Sequence, residues 1–274
     1  MPFTLSHVAA ILPLRRARAL PLAALAAGSM APDLPYYVPA LGFLSRWTHT
    51  ITGIVTIDVL LALGLWALWR SAAQPLRDLS PAAVRERWDP PGRTDGWPAA
   101  WWAVPVAAAL GAATHVGWDE FTHAGRYATT HLGFLAATYP SPLGPLAGYR
   151  YAQYASGAVG LAIIVIAGLR QERTPMAAPS NPRLARVVPW LCLAVGIVGA
   201  GVRVVAAGGF GISWDALAFA SITGGVAAAS ATLLLTCWAS VAAPVVVGWA
   251  RASGGTASQP GERERRRRDR RQDR

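Results

Sequence analysis

Charge is nearly excluded from five stretches of this chain, each close to the roughly 20 residues a helix needs to cross a bilayer. They run from Ile51 to Trp69, Ala99 to about Phe121, Ala152 to Leu169, Val187 to Ala207, and Ala216 to about Ala243. In lipid the backbone must satisfy its hydrogen bonds within each stretch, and apolar runs of this length do so as α-helices. Composition points the same way: 53% of the residues are hydrophobic and only 14% are charged, against about 25% charged in a soluble domain. The expected fold class is all-α, a polytopic transmembrane helical bundle of about five spans, and soluble globular classes are set aside.

Ahead of the first span lies a different kind of segment. Val8 to Ala27 is apolar but broken by Pro13, Arg15, Arg16, Arg18 and Pro21, so it reads as two short helices, a hairpin dipping into the membrane. Thr4 or Ser6 can cap the first, and Gly28 is placed to close the second. A hairpin sets His7 and Asp33 near one side of the bilayer, whereas a single straight span would separate them. The opening M-P-F-T-L-S-H has no charged region leading into a long apolar core, so no cleavable signal peptide is expected and His7 stays with the chain.

The arginines set the orientation. The loop from Arg70 to Pro98, the loop after the third span (Arg170, Arg173, Arg183, Arg186) and the C-terminal tail hold most of the positive charge. The cytoplasmic bias of basic residues puts these three regions, the tail included, inside. The loops Thr122 to Tyr151 and Gly208 to Asp215 then lie outside. The net charge of +11 is thereby read as membrane orientation and not as a nucleic-acid surface. Gly261 to Arg274 carries eight arginines and four acids without an aromatic; it reads as a disordered tail able to touch anionic lipid head groups. Every basic residue is arginine, which with the alanine, glycine and proline content suggests a high-GC bacterial genome and a cell (inner) membrane. Three regions result: 1–170 bearing the histidines and aspartates, 171–250 with two plain spans, and 251–274 as tail. Cys192 and Cys237 read as buried small hydrophobes, and the glycines near Gly199 and Gly224 as close helix packing.

The functional signal is the placement of histidine. All five, His7, His49, His115, His123 and His131, fall in the first half, among Asp33, Asp58 and Asp119. On a helix, His115, Asp119 and His123 are successive i, i+4 steps on one face. Taken singly, each fits a solvated helix face. As a set, two imidazoles and a carboxylate supply what a divalent cation such as zinc takes. The topology brings His49, Asp33 and the His115–His123 face to one depth, with His131 in the outer loop. Asp33, between prolines in G-S-M-A-P-D-L-P, is expected in a rigid non-helical turn. Asp58 sits nine residues beyond His49, about 13 Å deeper on a continuous helix, so it is read as a structural partner of Arg203. Glu120, pointing about 100° away from Asp119, is either a general base on metal-activated water or a surface acid.

The opening M-P-F-T-L-S-H-V-A-A-I-L-P-L-R-R, the block G-S-M-A-P-D-L-P-Y-Y and the segment T-H-x-x-x-x-D resemble the bacterial membrane proteins of domain of unknown function 4184, over most of Met1 to about Leu169. A more distant likeness joins P-D, T-H-T and H-x-x-x-D-x-x-T-H to membrane-bound metal-dependent hydrolases related to a LexA-associated inner-membrane protein. The order His, Asp, His, His-x-x-x-D, His is also similar to that of zinc-dependent phospholipase C and the fungal single-strand nucleases. That resemblance implies a helical phosphoesterase with His7, Asp33, His49, His115, Asp119 and His123 as zinc ligands. The chain departs from the pattern in lacking the N-terminal Trp and a late His-x-x-x-Glu pair, which implies one or two metals in place of three. The expected function is thus a metal-dependent hydrolase acting on a lipid or lipid-linked phosphate. The alternative is a membrane scaffold or carrier whose polar cluster is structural.

Overall fold

The computed structural model describes residues 4–16, 19–87, 100–142 and 144–254. The turn-rich D-P-P-G-R-T-D-G segment and the arginine tail beyond Gly254 lie outside the described residues. The fold is all-α, with one two-stranded ribbon. The chain opens with a 3-10 turn, Thr4–His7, that runs into α1 (Val8–Ile11) and a second 3-10 turn, Leu12–Arg16. It reverses and returns as α2 (Leu22–Met30), giving the expected hairpin. A 3-10 turn, Ala31–Asp33, leads into α3 (Leu34–Tyr37). Then follow α4 (Ile51–Val55), α5 (Ile57–Leu79), α6 (Ala82–Arg85), α7 (Ala103–Thr122), α8 (Tyr127–His131) and α9 (Gly133–Ala136). The ribbon pairs Thr138 with Ala147 and Tyr139 with Leu146. The remaining helices are α10 (Gly148–Leu169), α11 (Pro182–Ala206) and α12 (Trp214–Gly254), the last running on past Pro244.

Four helices, α5, α10, α11 and the Trp214–Ala242 part of α12, are long and apolar enough to cross a membrane. The fifth expected span, α7, has the length, at 20 residues. It misses the apolarity because His115, Asp119 and Glu120 sit in its last turns. It is the inner helix of the bundle, with ten of its 20 residues buried. Its inward face is alanine and glycine, which lets neighbours come close. A Cβ on Gly111 would collide with the Leu25 carbonyl, and one on Gly28 with the Ala108 carbonyl. Gly28 therefore serves packing from inside α2 and does not end it. The core formed by α2, α5 and α7 is correspondingly small-residue, with Ala24, Ala27, Ala62, Ala107 and Ala108 around Leu25 and Trp66.

The first span is not one helix. Thr56 leaves the helical region (φ −124°, ψ −89°) and separates α4 from α5. The Thr50 hydroxyl caps α4 by accepting from the Gly53 amide at 2.9 Å. Beyond the expected end at Trp69, α5 continues to Leu79 through Pro75. α11 and α12 form an antiparallel pair in which a Cβ on Gly199 would lie 2.8 Å from the Gly224 carbonyl oxygen, the close packing expected of these glycines. Cys237 is buried and Cys192 packs beside it, both as free thiols.

A candidate metal centre

Close packing of α2 on α7 starts the site. One turn beyond Gly111, fully buried His115 turns its Nδ1 to the Ser29 carbonyl oxygen at 2.7 Å. A carbonyl only accepts, so Nδ1 carries the proton and donates. In a neutral ring Nε2 is then a bare lone pair, the arrangement found in metal-bound histidines. That Nε2 faces Asp119 Oδ2 at 3.4 Å, one further turn along α7, and Asp33 Oδ1 at 3.5 Å. His49 Nε2 faces the same two carboxylates, at 3.3 Å from Asp119 Oδ2 and 3.4 Å from Asp33 Oδ1.

Asp33 arrives differently from expectation. It ends a 3-10 turn (φ −84°, ψ −13°) in place of a non-helical one, because Pro32 and Pro35 stand at early helical positions that tolerate proline. Its Oδ2 accepts from the Thr4 hydroxyl at 2.6 Å, and Thr4 also meets the Tyr37 hydroxyl at 2.8 Å. His49 is the one non-glycine residue with positive φ (64°) among the described residues. Two contacts hold it there: Thr48 Oγ1 lies 3.0 Å from its Nδ1, and Arg126 Nη1 donates to its carbonyl at 3.1 Å.

Buried acceptor atoms thus crowd together between α7, His49 and Asp33. Asp33 Oδ1, both Asp119 oxygens and His115 Nε2 are buried without a hydrogen-bond partner. Buried acceptors left facing each other are rare in folded chains, and a positive centre between them resolves the conflict. The four His-to-carboxylate separations run from 3.3 to 3.5 Å. His49, His115 and Asp119 offer ligand atoms that all lie within 4.8 Å of one another, as do His7, Asp33 and His115; imidazole and carboxylate are donors a zinc-type ion takes, so these residues could hold such an ion. His7 completes the cluster: its ring stacks on His115 with centroids 3.8 Å apart, and its Nε2 lies 3.8 Å from Asp119 Oδ1. Two charged rings would repel in that stack. Burial, then His115, lower the His7 pKa to about 4, so the ring is neutral. Burial alone would raise the Asp33 carboxyl, but His115 and His49 outweigh it and hold it well below the usual range. His49 is raised against its burial by the Asp119 and Asp33 carboxylates.

His123 leaves the ligand face. It is the residue after α7 and is extended (φ −126°, ψ 141°), so the i, i+4 geometry stops at Asp119. Its Nδ1 instead lies 3.1 Å from Asp119 Oδ1, and its Nε2 meets the Gln153 amide nitrogen at 2.7 Å. Glu120 stands apart from the cluster, accepting from the Tyr127 amide at 2.9 Å and lying 3.7 Å from Arg126. His131 is exposed and stacked on Tyr127, centroids 4.1 Å apart. The expected Asp58–Arg203 pair does not form. Arg203 donates to the Tyr36 carbonyl at 3.2 Å, while Asp58, in the first turn of α5 after the break at Thr56, is fully buried with neither carboxylate oxygen hydrogen-bonded.

A cavity of about 420 Å³ opens onto His49, Asp119 and His123. Arg126 and Arg150 stand in its walls, with Tyr36, Gln153, Asp215 and Phe219. Asp215 holds Arg150 in a two-pronged pair at 3.1 and 3.3 Å. The supposedly plain spans therefore contribute to the site, through Asp215 and Phe219 of α12 and Arg203 of α11. Sequence reasoning missed Asp215 and Phe219, as it missed Tyr36 and Arg126, and gave Arg203 and Thr4 other roles. Only the proximity of Arg126 to the H-x-x-x-D-x-x-T-H segment was a usable signal. No curated protein and no solved structure matches the chain. The family described as Domain of unknown function (DUF4184) matches residues 1–244, nearly the whole length, and the chain belongs to it.

Proposed function

We propose that this protein is a membrane-embedded metal-dependent hydrolase that cleaves a phosphate ester, with His49, His115, Asp33 and Asp119 as metal ligands and His7 as a fifth donor. The observation that carries the reading is the buried cluster of His49, His115, Asp33 and Asp119, with acceptor atoms lacking hydrogen-bond partners and one side open to a cavity with two arginines. A bound zinc-type ion supplies Lewis acidity toward a phosphoryl oxygen and toward water. The chain does the rest. Arg126 and Arg150, each paired with a carboxylate, present guanidinium groups in the cavity wall that suit a phosphate. His123, between Asp119 and the cavity, is placed to hold or release a proton at Nδ1, while Gln153 fixes its ring. Glu120, engaged with the Tyr127 amide and Arg126, supports the loop that carries Arg126 and leaves the proton-transfer role to His123.

The arginine bias supports an outer-face cluster in a bacterial inner membrane, with the tail inside. The ends of four spans meet there, so a lipid or lipid-linked phosphate is the substrate class. The test is elemental analysis of detergent-purified full-length protein together with hydrolysis of bis-p-nitrophenyl phosphate. Stoichiometric metal with turnover, both lost in His115→Ala, is expected. Metal without turnover would favour a carrier or structural centre, and no metal in the wild type would overturn the reading.

A further inference from the structure

The two oxygens of Asp33 meet different surroundings. Oδ1 faces the imidazoles of His49 and His115, at 3.4 and 3.5 Å, and has no hydrogen-bond partner. Oδ2 is engaged: the buried Thr4 hydroxyl donates to it at 2.6 Å. The opening turn accounts for this. Thr4–His7 is a 3-10 turn, in which side chains at i and i+3 lie on one face. Thr4 and His7 therefore reach the cluster together, His7 against the His115 ring and Thr4 against Asp33. From behind, α10 packs closely on the turn: a Cβ on Gly160 would lie 2.8 Å from both the Cβ and the carbonyl oxygen of Ser6.

A threonine hydroxyl has a single proton. Thr4 gives it to Asp33, so the Tyr37 hydroxyl, 2.8 Å away, is the donor to Thr4. The chain from Tyr37 through Thr4 engages Oδ2 and leaves Oδ1 to face the imidazoles. We propose that Thr4, oriented by Tyr37, sets the metal preference of this centre by restricting Asp33 to one oxygen; this rests on the metal reading above. A zinc-type ion takes few donors, with imidazole nitrogens and carboxylate oxygens among them. Manganese and calcium favour oxygen-rich shells of about six or more donors, and a carboxylate that grips with both oxygens helps to fill one. Thr4 denies Asp33 that second oxygen. It touches no reacting atom and is a positioning residue, acting through Asp33.

The experiment titrates chelator-stripped, full-length protein in detergent with Zn²⁺ and, separately, with Mn²⁺, and reads the ratio of the two affinities. Thr4→Val puts a methyl in place of the hydroxyl. It should weaken zinc by about 10–100-fold, the usual cost of losing a group that orients a ligand, and weaken manganese less, so that the zinc-to-manganese ratio falls roughly tenfold. Thr4→Ser keeps the hydroxyl and should restore the wild-type ratio. Tyr37→Phe leaves Thr4 able to donate but without its orienting partner, and should shift the ratio the same way by a smaller factor. A wild-type ratio in Thr4→Val would overturn the proposal and leave the metal reading intact; equal losses of both ions would mark Thr4 as a support of the fold alone. A ratio in Thr4→Ser as low as that in Thr4→Val would overturn it too. Wild-type protein that binds neither ion would bring down the metal reading, and this proposal with it. If Thr4→Val does not fold, Tyr37→Phe decides, and an unchanged ratio there would count against Thr4.

Discussion

His115 is the residue on which the centre turns, because it touches both carboxylates while its Nδ1 proton is committed to Ser29. Replacing His115 or Asp119 with Ala should remove stoichiometric metal, since a four-ligand ion loses most of its affinity with one ligand gone. His123→Ala should keep the ion and weaken it by about 10–100-fold, the cost of losing a group that orients a ligand. Metal content by elemental analysis, with titration for affinity, separates the two, and unchanged content in both ligand variants would sink the centre. Protons compete with the metal at the same atoms. The His49 pKa is raised in the fold by Asp119 and Asp33 after opposing burial. In metal-free protein this stabilises below the unfolded value of 6.5 and fades as pH rises through the folded value. Metal binding needs the deprotonated ring and gains over the same window. The melting-temperature gap between loaded and chelated protein should therefore widen from about pH 6 to about pH 8; a narrowing gap would contradict the assignment.

At the scale of elements, the contact of α2 with α7 decides whether the ligands meet. Gly111→Ala places a methyl into the Leu25 backbone and should cost about 1–3 kcal/mol, the usual penalty of overpacking, with loss of metal. Gly117, on the same helix with open space beside it, gives the control: Gly117→Ala should be near neutral in thermal melts. Much of this was legible in the sequence. The His115–Asp119 step follows from the helical period, and Asp33 and His49 reach the same depth once the arginines fix the topology. The rest depends on turns that a periodic pattern does not encode. The break at Thr56 and the left-handed His49 interrupt the straight helix that the depth of Asp58 assumed, and His123 is extended, past the end of α7. Because Arg203 bonds to Tyr36 and not to Asp58, Asp58→Asn and Arg203→Gln should lower folded yield additively. Mutual rescue would show that the two are paired after all.

For the whole molecule, orientation is the first thing to establish. A cysteine replacing exposed Ala136, on the short α9 near the cluster end, should react with an impermeant maleimide in intact cells. Labelling only after lysis would invert the bundle and move the centre to the cytoplasm. The ligands also lie far apart along the chain: Asp33 and Asp119 are 119 − 33 = 86 residues distant. An ion holding both is a cross-link between the N-terminal hairpin and the inner helix of the bundle. A disulfide closing a loop of that order removes roughly 4–5 kcal/mol of unfolded-chain entropy, yet both cysteines here are free thiols. A bound ion would take the place of covalent closure. Chelation would then act like reduction of a structural disulfide, first freeing the N-terminal hairpin from the inner helix.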